Sequence, residues 1–597
     1  MHDTDPAKRR AVDRRTFLKG GLGAAGVLAA GLTIRALADD DEQTANPAAV
    51  APAPATRRRP GVGKPNILVI VVDQMRFPQW PAASPVGPAL PANLQRLRSG
   101  AVSFARHYTA SNDCSPARAT LLTGLYTHQT GCMVTGGSTL DPGFPTWGTM
   151  LREHGYSTRW LGKWHLTHHD NRWTRLSGET ALERYGFAGG VFPSPDGAPG
   201  QGWRVDGTVA DRFDSWFKAE GQGGPWCTTV SFVNPHDIAW WYAWTDRVPA
   251  ERDAPRTARR LPPNFETPEH LIAQAKPRLQ LSFQETTAAS FGPVPFSGPE
   301  FEARWLGLLD LYAKLQREVD GHIGRVLATL ESEPEVAANT IIIFTSDHGE
   351  YGASHGLRGK GASGYEEGIR VPLMVKDPRG ILTRSPERLR TQLTSSVDVA
   401  PLLLTIATGS QQWRSDHHYA HIAGRQDLAS ILADPDAPGR QYILHATDEI
   451  VTEFAIQPYA ADAPLHVVAM RTGAAKYVTY SHWEPDGVTP LQAGEEAELY
   501  DYSTAGGRLE VQNSAGSSPL EDGMRASMRE ASARELRAPL PSRFDEARRR
   551  GFADYFFTAK NAAESAIVSR RARSEREIGK VEKLRPRPVK GPAHSRT

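Results

Sequence analysis

Four segments of the chain share one pattern, a run of apolar or β-prone residues that breaks off in polar ones. They are NILVIVVDQ (66–74), STRWLGKWH (157–165), CTTVSFVNPH (227–236) and TIIIFTSDHGE (340–350). Near-continuous Ile, Val and Phe suits a strand buried on both faces of a parallel sheet. Amphipathic stretches such as PTWGTMLREHGY and RWLGLLDLYAKLQREVDGHIGRVLATLES lie between them. Strands alternating with helices predict an open α/β sheet, in which ligands bind just beyond the carboxyl ends of the strands. There the four runs deliver Asp73 and Gln74, Lys163 and His165, His236, and Asp347 and His348. The pattern thus predicts one site gathered from several strand ends.

Elsewhere the pattern changes. Residues 171–225 and 238–300 are rich in Gly, Pro and Trp and weakly periodic, which predicts long loops or small inserted elements. Trp240, Trp241 and Trp244 there are read either as a stacking surface for a substrate ring or as satellite packing. From about residue 441, YILHATDEI, HVVAMRTGAAKYVTY and AELYDYST read as short strands with turns, a smaller antiparallel subdomain over 441–560. The main α/β domain is placed at 64–440.

NDCSPARATLLTG (112–124) reads as a short helix. Pro116 suits its first turn and Gly124 a left-handed C-terminal cap. Cys114 then sits at the helix N-terminus with Arg118 one turn on, where the dipole and the guanidinium would lower a thiol pKa. The alternative is a buried structural cysteine. The chain has three cysteines, too few for a dense disulfide framework or a four-thiolate zinc site. Cys132 and Cys227 remain one possible pair, with nothing in the sequence to establish it.

Composition narrows the class. The chain has 597 residues, with 69 basic against 67 acidic side chains and a formal charge of +2, which gives no reason to expect nucleic-acid binding. Near the N-terminus, Arg14 and Arg15 precede an uncharged Gly/Ala-rich run from Gly20 to Ile34 and the small-x-small pattern Ala36-Leu37-Ala38. That run of 15 residues is short for a membrane span of about 20. Residues 1–38 therefore read as a twin-arginine export signal, with the export machinery as partner and a periplasmic or secreted location. Residues 39–63 read as a flexible linker and 568–597 as a basic disordered tail.

CSPARATLLTG resembles the signature of the type I sulfatases, a helix opening with Cys-x-Pro-x-Arg and ending in Thr-Gly. VVDQ (71–74), GKWHL (162–166), NPH (234–236) and the segment SDHGEYGASHGLRGKGASGYEEGIRVPL from Ser346 match the same family in the same order. The resemblance spans about Lys64 to Asn513. It implies an alkaline-phosphatase-like α/β fold, a large mostly parallel sheet flanked by helices, with the smaller antiparallel subdomain behind it. It implies that a formylglycine-generating enzyme oxidises Cys114 to Cα-formylglycine, whose hydrated aldehyde is the nucleophile. Asp73, Gln74, Asp347, His348 and the modified Cys114 would hold one divalent metal. Arg118 and Lys163 would polarise the diol, and Asp347 would assist its deprotonation. His236 and Lys360 would bind the sulfate and protonate the departing alcohol. His165 would take the proton of the second hydroxyl as sulfate leaves. The substrate would be a small-molecule or carbohydrate sulfate ester.

Two positions depart from the commoner family pattern: Gln74 where many sulfatases have Asp, and His348 where many have Asn. The loss of a carboxylate and the gain of an imidazole leave calcium as first choice by analogy, with manganese, magnesium and zinc open. Asp-Gln and Asp-His also resemble choline-sulfatase-like enzymes and phosphonate monoester hydrolases, so phosphonate or phosphodiester hydrolysis is the rival activity. A non-catalytic sulfated-glycan-binding protein on this fold is the rival of another class. Singly, each residue has a duller reading: Asp73 and Asp347 as helix caps, Lys163 and Lys360 as solvated lysines, His165 and His236 as framework. His355 is read as a support of the Lys360 loop.

Overall fold

Residues 66–72 and 340–346 are buried along their whole length, and they pair in parallel at the centre of the main sheet. The computed structural model describes residues 63–78, 90–167, 180–190, 194–243, 245, 254–453, 455, 457–484 and 489–561. The export signal, nearly all of the linker, the basic tail and Trp244 lie outside them. The described residues up to Phe556 belong to one compact unit.

In chain order the strands are β1 (Asn66–Val72), β2 (Ala101–Phe104), β3 (His107–Tyr108), β4 (Ser157–Gly162), β5 (Ala188–Gly189), β6 (Trp226–Ser231) and β7 (Thr340–Ser346). They continue as β8 (Leu373–Lys376), β9 (Thr394–Ser395), β10 (Tyr442–Thr447), β11 (His466–Thr472), β12 (Ala475–Trp483) and β13 (Pro490–Asp501). The main sheet has the order β2-β8-β7-β1-β6-β4-β5. Its neighbours β7, β1, β6 and β4 run parallel, and β8 is antiparallel to β7 and β2. The four polar-ended runs of the sequence are therefore adjacent strands whose carboxyl ends share one edge.

Alternation along β1 divides the core. Ile67, Val69 and Val71 face the layer that contains Leu121, Leu122, Trp147 and Leu403, while Leu68, Ile70 and Val72 face Phe213, Phe217, Val319 and Ile323. The first layer includes α1 (Cys114–Thr123), and the second includes α2 (Gln201–Ala219) and the 31-residue α4 (Phe301–Glu331); α3 (Arg278–Phe291) lies between α2 and α4 in sequence. The expectation of loops over 171–225 and 238–300 is thus corrected at α2 and α3. Val209, Phe213, Trp216 and Phe217 form the buried face of α2 at helical spacing, a signal diluted by the surrounding Gly and Trp residues.

The sheet β10-β11-β12-β13 is antiparallel throughout. One face packs Val467, Ala469, Val478 and Tyr480 on Phe283, Tyr351 and Tyr365, and the other packs Leu444, Val468 and Tyr477 on Met528 and Leu536. Cys132 and Cys227 are free and buried, so they form no pair, and burial pushes both thiols up. Trp240 and Trp241 pack inward, Trp240 edge-on to Phe291 and Trp241 with Leu308 and Leu309, which makes them framework.

Gly162 ends β4 at φ 103°, and a Cβ there would run into the carbonyl of Ser231 on β6. Gly100 has a similar φ of 81° with open space around it. Gly100→Ala is expected to lose about 1–2 kcal/mol for the left-handed backbone alone. Gly162→Ala is expected to lose at least about 1 kcal/mol more through steric overlap. Urea unfolding of the two variants measures the difference, and equal losses would contradict it.

Candidate active site

Each predicted residue arrives on a stiff local frame. Asp73 and Gln74 follow β1; the Gln74 N–H donates to Asp347 Oδ1 at 3.1 Å, and the Tyr312 hydroxyl donates to Gln74 O at 2.8 Å. α1 starts at Cys114 and is capped by Gly124 at φ 70°, as its sequence predicts. Lys163 and His165 follow β4, and the Ser115 hydroxyl holds the His165 carbonyl at 2.6 Å. His236 follows β6 on a turn whose Val233 and Asn234 N–H groups donate to buried Asp206 at 2.7 and 2.9 Å. The Lys360 loop is gathered by Glu350, which accepts from the N–H groups of Gly352 (2.9 Å) and Gly359 (2.8 Å). His355 is buried against Glu266 and stacked on Tyr365 at 3.6 Å, so it supports that loop as expected.

The structure brings all the predicted side chains together, each at most 6 % exposed. Sγ of Cys114 lies 3.0 Å from Lys360 Nζ, 3.2 Å from His348 Nε2, 3.7 Å from Lys163 Nζ and 3.6 Å from both Asp73 oxygens. The Arg118 fork donates through Nη2 to Asp73 at 3.0 Å and through Nε to Asp347 at 2.9 Å, while Nη1 reaches Lys163 O and Ser231 Oγ. Lys163 Nζ pairs with Asp73 at 2.8 Å. Arg118 therefore clamps the two carboxylates and does not point at the thiol.

Electrostatics follow from burial and these pairs. Burial, with Asp73 and Glu453 beside it, pushes the Cys114 thiol up; the expected lowering by Arg118 and the helix N-terminus is overturned, because the guanidinium is committed to the carboxylates. Burial would raise Asp73, but Lys163 leads the cations that hold it well below its usual range. Burial, then Lys360 and Lys163, pulls His236 down to about 4. His165 is likewise pushed well down, by burial and Lys163. Burial would lower His348, yet Asp347 foremost holds it well above its ordinary value.

The donor set suits one divalent cation. Ligand atoms of Asp73, Cys114, Asp347 and His348 all lie within 4.8 Å of one another. His348 Nδ1 donates to Gly349 O at 3.0 Å, which aims Nε2 at the cluster and leaves proton and cation to compete for it. Gln74 is buried beside this cluster: its Oε1 accepts from Lys360 Nζ at 3.1 Å and its Nε2 donates to Glu350 at 2.5 Å.

Sequence reasoning missed Glu453. Its carboxylate pairs with Lys360 Nζ at 2.8 Å and His236 Nε2 at 3.1 Å, and lies 3.4 Å from Sγ. It comes from the segment between β10 and β11, 339 positions beyond Cys114, where no motif or periodicity marks it. Glu350 and Asp206 were also missed; the adjacency of Glu350 to Asp347-His348 is the one local signal that would have found it.

Residues 65–410 match the family model described as Sulfatase, more than half of the chain. A choline-sulfatase of Rhizobium meliloti (strain 1021) is 27% identical over 478 residues, covering 72% of this chain and 81% of that protein. An uncharacterised sulfatase of Escherichia coli (strain K12) is 26% identical over 379 residues, covering 58% and 68%. Among solved structures, the phosphonate monoester hydrolase of Silicibacter pomeroyi superposes with a TM-score of 0.58 at 22% identity over 80% of this chain and 96% of its own, a likeness of fold. Strand ends, signature helix and matched region coincide, and the chain belongs to the sulfatases, the sulfate ester hydrolases of the alkaline-phosphatase-like fold.

Proposed function

We propose that the chain cleaves an organic sulfate ester at the Cys114 centre, with Cys114 converted to Cα-formylglycine by a formylglycine-generating enzyme. The observation that carries this is Sγ standing within 3.7 Å of Lys360, His348, Lys163 and Asp73 at the N-terminus of α1. Asp73, Gln74, Asp347, His348 and the modified residue 114 would hold the divalent metal, calcium being the first candidate and manganese, magnesium and zinc the others. When bound, the cation offsets the negative charge of the ester and of the attacking oxygen. Once hydrated, the modified residue 114 would supply one hydroxyl to attack sulfur and a second whose deprotonation expels sulfate and restores the aldehyde.

The chain's own residues set charge and protons around that exchange. Lys360 Nζ and His236 Nε2 converge on one carboxylate of the pocket, and the same two donors would hold sulfate oxygens and protonate the departing alcohol oxygen. Lys163 Nζ, paired with Asp73, faces residue 114 and would polarise its oxygens. Arg118 would act on them at one remove, by fixing the two carboxylates. Asp347, oriented by Arg118 Nε and the Gln74 N–H, would take up the proton of the attacking hydroxyl. His165 is driven toward its neutral form by burial and Lys163, the state needed to accept a proton at Nε2 when sulfate is released. Export by the twin-arginine route carries folded proteins, so modification of Cys114 would precede arrival in the periplasm or outside the cell.

Active protein should yield a Cys114 peptide about 18 Da lighter than the thiol form. Mass spectrometry reads this directly, and turnover by protein with an intact thiol would refute it. Cys114→Ala should abolish turnover with the fold intact by circular dichroism.

Asp347→Asn should lower kcat by about 100-fold or more, since it removes a cation ligand and a proton acceptor together. Exhaustive chelation should abolish activity and a restored divalent ion recover it. Full activity in protein shown by elemental analysis to be metal-free would contradict the metal assignment.

A panel of matched aryl sulfates, phosphodiesters and phosphonates should give the highest kcat/KM for sulfates. Phosphorus esters winning by more than about tenfold, roughly 1.4 kcal/mol, would move the assignment to the rival activity. His165→Ala should release alcohol in a burst followed by slow turnover; uniform slowing without a burst would remove His165 from the release step.

A further inference from the structure

Glu453 is a charged side chain of the pocket with no part in the proposed turnover. Glu453 Oε2 lies 2.8 Å from Lys360 Nζ, 3.1 Å from His236 Nε2 and 3.4 Å from Cys114 Sγ. Its other oxygen lies 3.5 Å from His165 Nε2 and is buried with no hydrogen-bond partner of its own. A carboxylate placed on these donors presents oxygen and negative charge where a sulfate group would present the same. Two anions cannot share Lys360 and His236 at these distances without strong repulsion.

The segment that carries Glu453 is fixed at its root. Asp448 accepts from His128 at 2.8 Å and His466 at 2.6 Å, the Thr135 N–H donates to Glu449 at 2.5 Å, and the Thr447 hydroxyl donates to Asp113 at 2.6 Å. Beyond the root, Glu453 stands on the wall of a cleft formed with Ile238, Thr287, Phe291, Arg358 and Lys360. The cleft itself holds about 20 Å³, room for roughly one water, so displacement of the Glu453 carboxylate requires Thr452 and Glu453 to shift on their fixed root.

We propose that Glu453 is a displaceable internal anion of the sulfate-binding pocket. It holds Lys360 and His236 in the resting enzyme, is displaced from them as the sulfate ester enters, and returns as inorganic sulfate leaves. The inference rests on the reading of Lys360 and His236 as sulfate-binding donors and adds a competitor to them. Every anion then binds with an affinity reduced by the fraction of molecules in which Glu453 has withdrawn. The consequence is relief from product inhibition, since a pocket built of buried cations would otherwise retain the sulfate dianion.

Titration calorimetry with inorganic sulfate tests this on the full-length wild-type protein and on Glu453→Gln and Glu453→Ala. Both variants should bind sulfate about tenfold tighter than wild type. Equal or weaker binding in both would overturn the proposal, because Glu453 would then be holding the donors in place. No sulfate binding by any of the three also overturns it, and removes the sulfate assignment of Lys360 and His236 with it. Tightening in protein that turns over no sulfate ester supports the internal anion while refuting the proposed activity. Should the variants fail to fold, a crystal structure of wild type soaked in sulfate decides: Glu453 clear of Lys360 and His236 supports the proposal, and both contacts persisting beside the bound anion overturn it.

Discussion

Two carboxylates from neighbouring strands stand side by side in the interior because one buried guanidinium holds both. Arg118 reaches Asp73 and Asp347 at 3.0 and 2.9 Å, and all three side chains are excluded from water. Removing one partner from such a buried arrangement typically costs about 3–5 kcal/mol, because the remaining charge is left unpaired. The site's other features follow from this contact. It ties α1, which carries Cys114, to the ends of β1 and β7, and its third nitrogen ties in Lys163 at the end of β4 and Ser231 on β6. One side chain thereby fixes the strand ends relative to Cys114.

That clamp also sorts the charges. With Arg118 and Lys163 engaged on carboxylates, Lys360 is left to face Sγ and Glu453. The two histidines beyond it are driven toward neutrality by burial and by the lysines, whereas His348, beside Asp347, is driven the other way. Burial and the lysines thus push two imidazoles of the pocket one way, and the Asp347 carboxylate pushes the third the other.

The parallel sheet was legible because β1 and β7 are buried on both faces and so could not alternate, and because polar residues at strand ends interrupt those runs abruptly. The helix at Cys114 was legible from Pro116 and Gly124. What α1 does electrostatically was not. The sequence shows an arginine one turn from the cysteine, and only the fold shows that its fork turns away to Asp73 and Asp347. α2 was hidden by glycines and tryptophans that break a window average without breaking a helix. Glu453 was illegible for a different reason: it reaches the pocket by tertiary packing of the β10–β11 segment, and no local pattern encodes that reach.

In the proposed site, residue 114 and a cation would share one cluster of buried carboxylates. A high-resolution crystal structure of enzyme purified in active form tests it most directly. The result expected is electron density for an oxygen-bearing side chain in place of the Cys114 thiol, beside a single cation bound by Asp73, Asp347 and His348. An unmodified thiol, with no cation among those side chains, in crystals that still turn over a sulfate ester would contradict it.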